Sequence, residues 1–424
     1  MPYKVIVAHP GKQHSLRTAA ALKHQGMLCK YVTTVYDGDA SVLMKSLKRV
    51  LPRKELERAA GRKTEELDDR DVRCFCEFSG LVEIALNRID KKRKLYRWWH
   101  DRLSDRFGKK VARLAIKEGA DVVIMYDTTA KKCFEILKDR APDILRVIDC
   151  SAANRIYMRQ IYREDIQNCP PFAKRIVRER GHLFNDRYCQ RLIKEMEDAE
   201  LFLAPSQFVR KSLEYSGVES SKIALCPYGA NFDPVPFRRE VSRDRPLQAL
   251  YVGNVTMIKG VHYLLRAADH LRGKIHLTLV GACDNSDHLF DPYFEYCDFV
   301  GRVPHKTVQD YLRQADVFVF PSLGEGLSLS VLEAMAFSLP CIVSENSGAN
   351  DAIRDGVNGF VIKPQSVEAI EEKLIWCCEN REKLPAIGQE AFKTVKEYTW
   401  EAYEKRLAGI LNDCLKKRET KCLN

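Results

Sequence analysis

Long apolar runs are lacking near the start of the sequence. Its first apolar run, Val5 to Ala8, is far too short for a signal-peptide core or a membrane span. Neither secretion nor insertion is expected, so a cytoplasmic location follows, with the inner face of a membrane as an alternative. Short-period repeats and low-complexity stretches are absent, and with 45% apolar and 30% charged residues no large disordered part is expected. The fifteen cysteines form no paired CxxC sets at zinc-finger spacing. They are scattered, several inside apolar runs (Cys133, Cys226, Cys341), as buried thiols of a reducing compartment would be. The first half also lacks the GxGxxG fingerprint, which argues against NAD binding there.

What is present is a βαβ alternation through nearly all of the 424 residues, a length that implies two domains. Short apolar runs predict strands at 4–8, 29–34, 122–125, 145–149, 201–204 and 223–227. A second set falls at 249–252, 275–280, 317–320, 341–344 and 360–362. The fold class is therefore α/β, with two parallel sheets covered by helices. Residues 228–247 carry neither periodicity but hold Gly229, Pro234 and Pro236, and read as the linker.

Three loops follow strands in a way that suits ligand binding. His9-Pro10-Gly11-Lys12-Gln13-His14 precedes a helix from about Ser15 to Gln25, and it faces the site if its strand is central. Gly253 to Gly260 places Lys259 at a strand-to-helix turn, where free backbone amides favour anions. Pro321 to Ala336 follows a strand and opens a helix near Ser328. Amides around Gly326, Leu327 and Ser328 suit a phosphate there, while Glu325 and Glu333 offer carboxylates for ligand hydroxyls.

Glu325 and Glu333 have seven residues between them, with Gly326 after the first and Leu-Glu-Ala-Met-Ala around the second. This resembles the E-x7-E motif of the retaining GT-B glycosyltransferases of the family 4 type (glycosyl transferases group 1). The stretches 299–303, 315–322, 340–344 and 355–359 match as well, so the resemblance spans roughly residues 249–400. It implies two Rossmann-like domains facing a cleft: an acceptor domain at 1–230, a linker at 231–247 and a nucleotide-sugar domain at 248–398. A helix at 399–424 returns to the first domain, with Trp400 as an anchor.

By the same resemblance Glu333 binds the ribose hydroxyls, Glu325 the donor-sugar hydroxyls and Lys259 the diphosphate. The loop at Gly253 and Asn254 lies on the donor, and the backbone near Arg302 and Val303 holds the base. The reaction implied is metal-independent front-face transfer with retention from a UDP- or GDP-sugar. The nucleotide sugar is a substrate, and neither cofactor nor metal is expected. Asn254 stands where the family usually has Arg, Ser338 where Gly is usual, and Ala349 where a second Gly is common.

The first domain resembles the family less closely. Gly11 and His14 are its cleft candidates, with turn and cap roles as the alternative. Relatives often place a histidine after the strand that here ends at Asp149, but the chain reads Asp149-Cys150-Ser151-Ala152-Ala153-Asn154. Asp149 or Asn154 takes the polar role, or another residue such as His182 approaches.

The net charge is +11, and between Arg88 and Arg113 eleven Lys/Arg stand against three Asp. Tyr96, Trp98, Trp99, Leu103 and Phe107 are interleaved among them. An interfacial helix on anionic lipid has this pattern, and so does a solvated helix whose aromatics pack on its domain. In the first case the hydroxyl acceptor is lipid-linked; otherwise it is a glycan or a small molecule. Two further functions remain as alternatives: a non-catalytic sugar-nucleotide-binding subunit, and a nucleic-acid binder using the same segment, against which the lack of any recognised nucleic-acid module counts.

Overall fold

The computed structural model describes residues 3–11, 13–38, 41, 62–90, 93–230 and 244–423. The strands of the first sheet are β1 (Val5–Ala8), β2 (Leu28–Thr33), β3 (Val72–Cys74), β4 (Val122–Tyr126), β5 (Leu145–Asp149), β6 (Leu201–Ala204) and β7 (Ile223–Leu225). Those of the second are β8 (Leu247–Val252), β9 (Ile275–Val280), β10 (Cys297–Gly301), β11 (Val317–Phe320), β12 (Cys341–Ser344) and β13 (Phe360–Ile362). Strand order is β3-β2-β1-β4-β5-β6-β7 in one sheet and β10-β9-β8-β11-β12-β13 in the other, with all pairings parallel. Both are doubly wound. The central strands β1, β4, β5, β6, β11 and β12 are buried along their whole length, as strands covered by helices on both faces must be.

The chain reverses direction across each sheet between its first and fourth strands, β1/β4 and β8/β11. Ligands of open α/β sheets bind at such a switch point, beyond the carboxyl ends of the strands. The loops after β1, β8 and β11 all start there. β1 is central, so the condition for its loop to face the site is met.

Apolar periodicity does not mark β3 and β10. The first is three residues, Val-Arg-Cys, at a sheet edge; the second begins Cys-Asp and ends at a glycine, and its pairing with β9 is irregular between Phe299 and Gly301. Both carry a polar or charged second residue and bury only their first, so no continuous apolar run marks them. Most of the linker, 231–243, lies outside the described residues, as do Lys12, Lys91 and Lys92.

The final helix, Trp400–Leu423, lies on the helix Ser15–His24 of the first domain. Tyr403 Oη and Thr18 Oγ1 are 3.0 Å apart, His24 meets Glu404 at 3.0 Å, and the Arg17 guanidinium sits 5.4 Å from the Trp400 ring centre. Gly229 is held close: a β-carbon there would meet the Trp400 amide nitrogen at 2.3 Å.

The basic segment falls on two helices, Glu77–Ile89 and Lys94–Glu118. Its aromatics divide. Leu103 and Phe107 are buried in the first domain, each contributing about 1.5–3 kcal/mol of burial, and Trp99 Nε1 donates to the Ser79 carbonyl at 2.9 Å. Trp98 remains exposed. No helix among the described residues is long and apolar enough to cross a membrane.

Candidate functional site

A cleft of about 410 Å³ opens at the switch point of the second sheet. Gly253, Asn254, Lys259, Arg302, Val303, Glu325, Leu327 and Ser328 all line it, joined by Ser330 and Phe320. Lys259 and Glu325 form an ion pair across it, and each side chain keeps about a fifth of its surface exposed. The Lys259 ammonium also lies 5.7 Å from the centre of the Phe320 ring, which is stacked on Tyr251. Arg302 is exposed on the cleft wall and forms no ion pair among the described residues.

The Glu325 loop is fixed from below by groups that pattern alone does not reveal. Ser322 Oγ donates to Glu325 Oε1 at 3.2 Å, the Glu325 amide donates to the Asn346 carbonyl at 2.9 Å, and Asn346 Nδ2 donates to the Leu323 carbonyl at 3.0 Å. Ser344 Oγ, at the end of β12, holds the Ser322 carbonyl at 2.6 Å. Their only signal in the sequence is their position at the carboxyl ends of predicted strands.

The helix Leu329–Ala336 begins at Ser328, whose side chain makes no cap. The amides of Leu327, Ser328, Leu329 and Ser330 have no acceptor among the described residues, so a row of donors and the positive end of the helix dipole face the cleft. Glu333 lies one turn further in, half-buried, with its Oε1 3.5 Å from His305 Nε2. Burial pushes its carboxyl above the ordinary glutamate range, against a lowering pull from His305. His305 begins the helix that follows Arg302 and Val303; nothing in its local pattern marks it, and only the fold brings it to Glu333.

In the first domain the structure brings together His14 and Asp149. His14 Nε2 is 3.1 Å from Asp149 Oδ2, and Tyr228 Oη donates to Asp149 Oδ1 at 2.7 Å. The His14 ring packs against Tyr228 at 4.2 Å and Tyr126 at 5.0 Å between centres. Asp149 is 1% exposed, so this carboxylate orients the imidazole from beneath. Asn154 instead caps the helix Arg155–Asn168, accepting the Ile156 amide at 2.9 Å. Gly11 turns the loop back onto His9, its amide donating to His9 Nδ1 at 3.0 Å. Burial carries His9 down to about 4, and half-buried His182, partly desolvated and close to Arg97 and Arg180, likewise falls to about 4.

The two domains meet at the edge of the cleft. The first-domain loop 151–152 packs on Gly326, where a β-carbon would meet the Ser151 carbonyl oxygen at 2.2 Å. Gln207 donates its amide to Asp351 at 2.7 Å, and the Arg175 guanidinium reaches Asp287 at 2.9 Å and the Asp284 carbonyl at 2.6 Å. Among the described residues, one group, Asp165, Cys169 and His262, brings metal-capable atoms within 4.8 Å of one another. It is buried between the helices Arg155–Asn168 and Val261–His270, away from the cleft lining, and is hydrogen-bonded internally: His262 Nε2 to Asp165 Oδ1 at 3.2 Å, Tyr263 Oη to the same oxygen at 2.5 Å. Its geometry is that of a polar clasp between domains.

Two doubly wound parallel sheets meeting across a cleft are the GT-B fold. Solved structures of that form overlay nearly the whole chain: sucrose-phosphate synthase from Thermosynechococcus elongatus (TM-score 0.65, 16% identity, 98% of this chain and 100% of the other). Anabaena Alr3699/HepE in complex with UDP overlays similarly (TM-score 0.62, 14% identity, 97% and 100%). Residues 236–394, which make up most of the second domain, match the family model of glycosyl transferases group 1. An uncharacterized glycosyltransferase of Methanocaldococcus jannaschii, MJ1607, is 32% identical over 146 residues, which are 32% of this chain and 37% of that protein. The amylovoran biosynthesis glycosyltransferase AmsK of Erwinia amylovora is 27% identical over 227 residues, 50% and 56% respectively. The matched region thus spans about a third to a half of these curated relatives.

Proposed function

We propose that the protein is a retaining glycosyltransferase that moves a sugar from a nucleotide-sugar donor to a hydroxyl acceptor. The observation that carries the reading is the cleft at β8/β11, where Lys259, Arg302 and the free amides of Leu327 to Ser330 converge beside two carboxylates. That set suits a nucleoside diphosphate sugar: positive groups for the diphosphate, Glu333 for the ribose hydroxyls, Glu325 for the sugar hydroxyls. The match to glycosyl transferases group 1 supports it, and the UDP bound in the Anabaena protein of like fold favours a uridine donor over a guanosine one.

In this reading Lys259 changes partner during the cycle. Its ion pair with Glu325 holds the ammonium at the cleft floor, and a diphosphate entering over the helix amides competes for it, leaving Glu325 free for the sugar. As the sugar–phosphate bond breaks, Lys259, Arg302 and the helix dipole stabilise the charge gathering on the leaving diphosphate. The acceptor hydroxyl attacks from the face the diphosphate leaves and passes its proton to the departing phosphate oxygen, so the new bond forms as the sugar–phosphate bond breaks and configuration is retained. His14, oriented by Asp149, stands on the acceptor side. Fixed protein charges compensate the diphosphate, so the transfer needs neither metal nor cofactor.

The test is a thermal-shift panel of UDP, GDP, ADP and their sugars on the wild type and Glu333→Ala, followed by anomeric analysis of any product. A ligand selective for the folded state raises its melting temperature, so selective stabilisation that is lost in the variant supports the donor site. Stabilisation by no nucleotide defeats the reading. Tight binding without transfer or donor hydrolysis supports a non-catalytic sugar-nucleotide-binding subunit, a role that Asn254 in place of the usual Arg favours.

A further inference from the structure

The helix Lys94–Glu118 has two faces. Leu103, Phe107 and Val111 are buried in the first domain. On the other side Lys94, Trp98, Arg102, Arg106, Lys109 and Arg113 recur every three or four residues, share one face, and are all exposed. Trp98 is 48% exposed with the Arg102 guanidinium 4.2 Å above its ring, Leu95 beside it is 52% exposed, and Ile89 at the end of the preceding helix is 72% exposed.

This charge is not matched among the described residues. The segment's own acids are engaged elsewhere: Asp105 and Asp101 face Arg191 at 2.7 and 3.6 Å, and Asp90 accepts the Tyr96 amide at 2.9 Å. Lys94, Arg102, Arg106 and Lys109 form no ion pair among the described residues. A face that leaves cations unmatched and large apolar side chains in water has a partner that is anionic at its surface and apolar just below it.

The amino-terminal end of this helix also has a definite place. Arg97 and Arg93 lie close enough to His182 to add to the effect of its burial, and His100 acts on His9, which follows β1. The amino-terminal end of the helix therefore borders the carboxyl edge of the first sheet, on the same side as His14 and Asp149.

We propose that this face docks on an anionic lipid bilayer, with Trp98, Leu95 and Ile89 entering the interface and the cations resting on the headgroups. Docked in this way, the first domain opens its acceptor side toward the membrane, and the acceptor is a hydroxyl compound carried on a lipid. The acceptor statement rests on the glycosyl-transfer reading; the docking statement does not. Cations with exposed Trp and Leu on one helical face are the pattern of interfacial helices, whereas a nucleic acid would match the cations and leave Leu95 and Ile89 in water.

Flotation of the full chain with phosphatidylcholine vesicles, with and without 30% phosphatidylglycerol, tests the docking. The expected result is binding that requires phosphatidylglycerol and falls as salt rises. It weakens about tenfold in Leu95→Ser/Trp98→Ser and again in Arg102→Gln/Lys109→Gln, with the circular dichroism and nucleotide-induced thermal shift of both variants unchanged. No binding to the anionic vesicles, equal binding by the Leu95→Ser/Trp98→Ser variant, or tighter binding to single-stranded or duplex DNA than to the vesicles would overturn it. Vesicle binding without stabilisation by any nucleotide leaves the docking standing and defeats the glycosyl-transfer reading; nucleotide stabilisation without vesicle binding does the reverse.

Discussion

Ser206 donates its hydroxyl hydrogen to the carbonyl oxygen of Gly326 at 2.6 Å, tying the loop after β6 in one domain to the loop after β11 in the other. Both groups are buried, so the bond sets how closely the domains approach at the cleft.

Gly326→Ala acts on that approach. The added methyl meets the Ser151 carbonyl oxygen, a backbone atom that cannot swing aside. We expect nucleotide binding to persist and turnover to fall about 100-fold, the size of effect that follows when reacting groups are misplaced by about an ångström. Steady-state kinetics beside a nucleotide titration checks this, and unchanged turnover would show that the contact does not govern the chemistry.

Asp149 is buried beneath His14 and Tyr228. Its replacement by Ala orphans two polar groups, at about 1–3 kcal/mol each, and frees the imidazole. Asp149→Ala is expected to lose both stability and turnover, and His14→Ala mainly turnover. Urea denaturation of the two variants alongside kcat separates the effects; equal stability loss in both would assign His14 a packing role.

His9 supplies a pH dependence. Burial lowers its pKa from 6.5 to about 4, so between those values the unfolded chain binds a proton that the folded chain does not. Stability therefore decreases as pH falls through this window, by on the order of 3 kcal/mol below pH 4, and is fully present above pH 6.5. Half-buried His182 adds in the same direction. The stability-against-pH curve of His9→Asn should be flatter between pH 6.5 and 4 than that of the wild type; parallel curves would contradict the shift.

Ser338 holds a backbone φ of +54°, a left-handed conformation that side chains with a β-carbon resist. Ser338→Gly removes this strain while loosening the unfolded chain, for a net gain of about 0.5–1 kcal/mol. Calorimetry showing a lower melting temperature would mean that the serine side chain makes a compensating contact.

Apolar runs made both sheets legible, because a strand covered on both faces must be apolar throughout, as Val317–Phe320 and Val122–Tyr126 are. β3 and β10 escaped for the converse reason, since each buries only its first residue and holds a charged one next to it. The Glu325 to Glu333 spacing and the glycines of the donor loops were legible too, since a loop that ends a strand and opens a helix has few ways to be built. Asp149 was readable as a polar residue at the end of a strand; its partnership with His14, 135 residues away, was not. Local sequence thus determined the strands, the helix starts and the residue types at the loop ends. Which of those loops meet was decided by the tertiary structure, because a contact such as His305 with Glu333, Ser206 with Gly326 or Asp165 with His262 depends on how strands cross over and how two domains close, and no short-range pattern encodes either.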